Sequence, residues 1–261
     1  LNPEITFQIN HLGSVDLASR CKRLGVERFI YTSSCSVYGA AGGETYRDER
    51  SETDPQTAYA QCKVLVERDV RALADDAFSP TFLRNATAYG ASPRMRFDLV
   101  LNDLAGLAWT TKEIRLKSDG TPWRPLVHIL DICQAVACTL EAPREVVHDQ
   151  IFNVGSTDEN YRVREIAAIV ADVVPGCEVV LGSLDGDKRS YRVSFDKIHE
   201  ELPGYTAAWT ATLGAKQLVE LFEDIQMATE MFRFRTFTRL HQLKYLLETA
   251  QVDDRLFWSN A

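Results

Sequence analysis

The chain has 261 residues, of which 45% are hydrophobic, enough for one large α/β domain or one domain with a smaller lobe. Its 37 acidic against 29 basic side chains give a formal net charge of -8, which provides no electrostatic footprint for nucleic acid or an anionic membrane. No apolar stretch reaches the roughly 18 residues of a membrane span and no charged-then-apolar leader occurs, so neither insertion nor secretion is expected.

Residues 4 to 24 carry Ile5, Ile9, Leu12, Val15 and Leu17 at helical intervals, and Gly25 is a suitable helix stop. Arg28-Phe29-Ile30-Tyr31 reads as a buried strand, and the strand at 27–32 ends in a turn of small hydroxyl residues, Thr32-Ser33-Ser34. Gly42, Gly43, many charges and Pro55 mark 40–57 as a loop. A helix from Ala58 to Ala74 follows, then a strand at 80–84, closed by Tyr89-Gly90 and Ser92-Pro93. Beyond it the pattern predicts a helix at 97–110, strands at 113–117, 125–129 and 151–155, and a helix at 161–174, with Asp131 placed to cap a helix from Ile132. The tail from 217 is helical in pattern. Its run Phe232-Arg233-Phe234-Arg235 suits an anion or a stacked base, or else is a solvated face with a few aromatics packed on the body.

The six cysteines form no CxxC pair, and they read as reduced thiols of a cytoplasmic protein. None of the five histidines stands at metal-ligand spacing, so no metal is implied. His128 and Asp131 read as structural.

Chemistry concentrates in two segments. Tyr59 and Lys63 are four apart, on one face of the helix, where an ammonium favours the ionised form of a phenol. A phenol so tuned acts as a base. Ser34 lies at the carboxyl end of a strand, where open α/β sheets bind ligands.

These landmarks, in this order, resemble the extended short-chain dehydrogenase/reductase family, particularly its NAD-dependent nucleotide-sugar epimerase and reductase members. Five segments carry the likeness: Asn10 to Gly13, Ser33 to Gly39, Tyr59 to Lys63, Leu83-Arg84 through Tyr89-Gly90, and Gly120 to Asp131. The second and third are specific in combination, and the match runs from residue 1 to about 200. The resemblance implies a Rossmann-like doubly wound parallel sheet with a smaller mixed α/β substrate-binding lobe. Residues 1–92 would be a partial dinucleotide-binding domain, and 93–261 mostly lobe, with about 121–155 returning to the sheet. It implies Ser34, Tyr59 and Lys63 as the catalytic group. Asn10, Ser34, Tyr59, Lys63 and Ala86 would meet the cofactor, and Thr87, Arg124 and Arg189 the substrate.

The family opens with a glycine-rich turn for the dinucleotide pyrophosphate and a residue that selects the ribose. This chain, which starts at Leu1, shows neither, so the native protein is expected to be longer and its N-terminal strands to lie upstream. NAD is the expected cofactor, with NADP left open because the selecting residue would lie in that upstream part. Cys35 and Ser36 stand where dehydratases and decarboxylases usually carry an acid, which disfavours dehydration, and Thr87 stands where an asparagine is frequent. The reading is a 4-epimerase acting on a nucleotide sugar as a homodimer. A 4-ketoreductase and a non-catalytic dinucleotide-binding sensor are the alternatives.

Overall fold

In the computed structural model, residues 2–40, 44–183 and 189–259 are described; Gly42 and Gly43 of the expected loop lie outside them. Asn2 starts the first helix, its side chain accepting the Glu4 N–H at 2.9 Å, with Pro3 in the first turn. Helix α1 (Pro3–Phe7) runs through a π turn (Gln8–Leu12) into α2 (Gly13–Arg23). A π turn holds more residues per turn than an α turn, so Thr6, Asn10 and Ser14, and likewise Phe7, His11 and Val15, align four apart on the inward side. The phase shift turns Ile9 and Leu12 outward, each 58% exposed. Their helical spacing does not show which way they face.

Strand β1 (Arg28–Ser34) enters a 3-10 turn (Cys35–Tyr38) that ends at Gly39. Gly39 has φ +65, and a Cβ there would lie 1.7 Å from the Asp54 carbonyl oxygen, so the turn needs glycine for both conformation and space. After β2 (Tyr46–Arg47), helix α3 (Ala58–Arg71) begins at Thr57, whose hydroxyl accepts the Ala60 N–H at 3.2 Å. Strands β3 (Ser79–Asn85) and β4 (Thr87–Tyr89) precede α4 (Val100–Thr111), β5 (Glu113–Arg115), β6 (Trp123–His128), α5 (Ile129–Glu141) and α6 (Arg144–Val147). The chain continues through β7 (Gln150–Val154), β8 (Asn160–Arg162), α7 (Val163–Val173), β9 (Glu178–Val180), β10 (Arg192–Val193), α8 (Asp196–Glu201), α9 (Ala211–Asp224), α10 (Thr229–Phe232) and α11 (Arg239–Glu248).

The central sheet is parallel, in the order β1-β3-β7, and its register places Ser34 beside Asn85 and Asn85 beside Val154. Successive strand residues face opposite ways. Phe82 therefore joins Ala18, Val66 and Val70 under α2 and α3, while Leu83 joins Ile132, Ala135 and Ile198 from α5 and α8. Helices on both faces make this the doubly wound α/β fold that the sequence implies. Strand β6 pairs with β4 and, antiparallel, with β8. A separate core packs α4, α7 and α9 through Leu101, Ala105, Ile166, Leu218 and Phe222.

Asp131 does not cap its helix. Helix α5 starts two residues before it, at Ile129, and the cap is His128, whose Nδ1 accepts the Leu130 N–H at 3.2 Å. The Asp131 carboxylate instead accepts the backbone N–H groups of Ala208 and Trp209, a contact across 77 and 78 residues that local sequence does not show.

Candidate active site

At the carboxyl ends of β1 and β3 opens a cleft of about 1290 Å³. Asn10, Ser34, Tyr59, Lys63, Ala86, Thr87, Arg124 and Arg189 all line it, so one cavity gathers every site residue read from the sequence. The topology explains this. Ser34 ends β1, Ala86 and Thr87 follow its register neighbour Asn85, α3 brings Tyr59 and Lys63 across the opening, and the π turn aims Asn10 at the same wall.

Tyr59 is 45% exposed and its ring forms part of the cleft wall. Partial burial pushes its phenol above the ordinary value, while hydrogen bonding with Ser34 and the charge of Arg96 act the other way. Lys63 Nζ donates to the Thr32 carbonyl at 2.6 Å and sits 4.4 Å from the Tyr31 ring centre and 5.4 Å from that of Tyr59. Burial pulls the lysine down to about 8, with Glu67 and Cys62 opposing. In this state the ammonium rests on a carbonyl and two aromatic faces. Ser34 Oγ accepts the Ser36 N–H at 3.2 Å, which fixes the hydroxyl at the start of the 3-10 turn.

Behind this surface lies a buried polar network. Glu67, one helical turn beyond Lys63, accepts Arg84 Nη2 at 2.7 Å and Arg84 Nε at 3.0 Å, and it accepts the Ser33 hydroxyl. Arg84 Nη1 donates to Tyr38 Oη at 2.9 Å, and Tyr38 donates to Asn153 Oδ1 at 2.8 Å. The chain of bonds ties α3, β1, β3, the 3-10 turn and β7 together beneath Ser34 and Tyr59.

Sequence reasoning did not single out several further lining residues, Arg233 excepted, which belongs to the run read as an anion or base site or a solvated face. Arg96, Arg115, Lys117, Arg233 and Arg239 bring the basic side chains among the described lining residues to eight, against two carboxylates, Asp98 and Asp103. A cleft so positive in a chain of net charge -8 attracts anions. Arg124 donates to the backbone carbonyl of Arg189, which links the two arginines expected to meet the substrate. Ser36 Oγ and Asn85 Oδ1 are buried in the lining with no hydrogen-bond partner. Buried polar atoms of this kind are ready for a polar ligand.

A family model, NAD dependent epimerase/dehydratase family, matches residues 1–155. A UDP-glucose 4-epimerase of Neisseria gonorrhoeae is 28% identical over 174 residues, which is 60% of this chain and 51% of that protein. One from Neisseria meningitidis serogroup A is 24% identical over 236 residues, 84% of this chain and 67% of its own length. The chain thus spans about half to two thirds of these relatives. Among solved structures, MoeE5 in complex with UDP-glucuronic acid and NAD is similar with a TM-score of 0.72 and 27% identity, covering 84% of this chain and 72% of that one. The fold of UDP-glucose 4-epimerase from Thermotoga maritima is similar at a TM-score of 0.76 and 22% identity, covering 87% and 73%.

Proposed function

Because the chain belongs to the NAD dependent epimerase/dehydratase family, we propose that it acts on a nucleotide sugar at C4 and is an NAD-dependent 4-epimerase. The observation that supports this most is the convergence of Ser34, Tyr59 and Lys63 on one strongly basic cleft. The residues present suit a dinucleotide: an anion-attracting wall, a small Ala86 where a flat ring would approach, and partnerless polar atoms on Ser36 and Asn85. NAD, when bound, supplies the hydride acceptor and donor. Asn10, Lys63 and Ala86 would hold it.

Tyr59, as phenolate, takes the proton of the sugar 4-hydroxyl, and Ser34 bonds that oxygen. Ionising Tyr59 is opposed by burial and favoured by Ser34 and Arg96, so the base is poised only when the cationic charge around it is in place. Lys63 provides part of that charge, on the expectation that it exchanges the Thr32 carbonyl for a ribose hydroxyl. Arg124 and Arg189 would pair with the diphosphate, for which planar guanidinium donors are suited, and Thr87 stands where the family's frequent asparagine would contact the same diphosphate. Cys35 is 1% exposed and its thiol is pushed up by burial, so it is no substitute for the acid of a dehydratase. A 4-ketoreductase would use the same residues and differ in its product.

The test is incubation with UDP-, dTDP-, GDP- and CDP-sugars, followed by product stereochemistry by NMR. Inversion at C4 without net NADH formation is expected, and net reduction or oxidation would move the assignment to a ketoreductase. No conversion of any sugar, with NAD and the nucleotide sugar both shown to bind, would refute the enzymatic reading. We also propose a homodimer through the helices at 3–23 and 58–71, a reading supported by the outward Ile9, Leu12 and Leu17. Light scattering at the mass of a monomer would reject it.

A further inference from the structure

The run Phe232-Arg233-Phe234-Arg235, left open between an anion site and a solvated face, divides its residues between two tasks. Phe232 is buried, and its ring meets Phe97 edge-on at 4.8 Å. It also fills the place of a side chain on α4, because a Cβ on Gly106 would lie 2.2 Å from the Phe232 ring. Phe237 packs on the same Phe97 at 5.2 Å, and the Phe97 N–H donates to the Phe237 carbonyl at 3.1 Å. Arg235 stacks on Tyr245, 3.9 Å from the ring centre. The segment is therefore docked on the body by a fitted wedge.

Two side chains from this docked segment remain directed to the cleft. Arg233, next to the wedge, and Arg239, the first residue of α11, both line it. Among the described residues neither makes an ion pair within 4.0 Å of a carboxylate. Asp103 and Asp98 across the opening feel their charges at longer range. Two guanidiniums held in one cleft lining without a carboxylate partner at ion-pair distance favour an anion as ligand.

We propose that the C-terminal segment is a wall of the ligand site, and that Arg233 and Arg239 bind the diphosphate of a nucleoside diphosphate ligand in addition to Arg124 and Arg189. The naming of the ligand rests on the nucleotide-sugar reading, whereas the anion contact does not require the chemistry at Tyr59. The wedge sets the position of Arg233, and the first turn of α11 sets that of Arg239.

The experiment is isothermal titration of the full chain with UDP and with inorganic pyrophosphate, neither of which carries a sugar carbinol. Arg233→Ala and Arg239→Ala are each expected to weaken both probes about tenfold, the loss of one charge-assisted contact, and the difference should shrink as salt screens it. Arg255→Ala, exposed and outside the cleft lining, should change nothing. Gly106→Ala keeps both arginines but obstructs the wedge, and it should weaken UDP in the same direction. The proposal is overturned if the double variant binds UDP within twofold of the unaltered chain, or if neither probe binds the unaltered chain. Failure of the epimerase reading would appear separately, as unconverted sugars with UDP binding intact.

Discussion

Replacing Glu67 by Gln keeps the shape of the side chain and removes the charge that Arg84 faces. Both members of the pair are 5% exposed, and three of the contacts between them lie between 2.7 and 3.2 Å. Breaking a buried pair from one side costs about 3–5 kcal/mol, because the remaining charge stays desolvated. For a chain of this size each kcal/mol lowers the melting temperature by about 2–4 °C, so the variant should melt roughly 6–20 °C lower. Replacing both partners, Glu67→Leu with Arg84→Met, removes the stranded charge and should recover at least half of the loss, although Ser33 then lacks its acceptor. Calorimetry and urea unfolding measure both. If Glu67→Gln melts within a degree or two of the unaltered chain, and the double variant is no more stable than the single, the network does not hold the charges as described.

Lys63 has its proton affinity pulled down to about 8 by burial, so in the free enzyme kcat/KM should fall as pH rises above about 8, where the ammonium is lost. A profile flat to pH 10 would contradict this, and Lys63→Arg should abolish the alkaline fall in whatever activity it retains. The sign for stability is the opposite: a lysine depressed by burial destabilises the fold while the unfolded lysine is charged. That penalty is full below about pH 8 and fades as pH rises toward the ordinary lysine value. Gly39→Ala should cost more than about 1 kcal/mol and lower the melting temperature, since its φ of +65 is strained for alanine and the Asp54 carbonyl blocks the new methyl. An unchanged melt would show that the turn carries no such restriction.

Local periodicity was sufficient where a residue's neighbours decide its place. Helix α3 begins at Ala58 as expected because Thr57 caps it, and β3 forms around the apolar pair Phe82 and Leu83 because both its faces are covered. It failed where a single residue changes the phase. The π turn at Gln8–Leu12 turned Ile9 and Leu12 outward while sending Asn10 to the cleft, and nothing in the apolar spacing marks it. It also failed where the deciding contact is distant. Asp131 meets Ala208 and Trp209 instead of its own helix, Glu67 meets Arg84 on another element, and Phe232, the neighbour of the cleft-lining Arg233, packs where Gly106 leaves room. A glycine inside α4 with an aromatic-basic run far along the chain was the available signal. No spacing rule connects the two.

The most direct test of the central claim is Tyr59→Phe, assayed for sugar conversion and, separately, for binding of NAD and the nucleotide sugar. Removing an acid/base should lower kcat by about 10²–10⁴-fold, with both binding constants within a few-fold of the unaltered chain. Turnover preserved within tenfold would mean that the phenol at the mouth of the cleft is not the group that moves the proton.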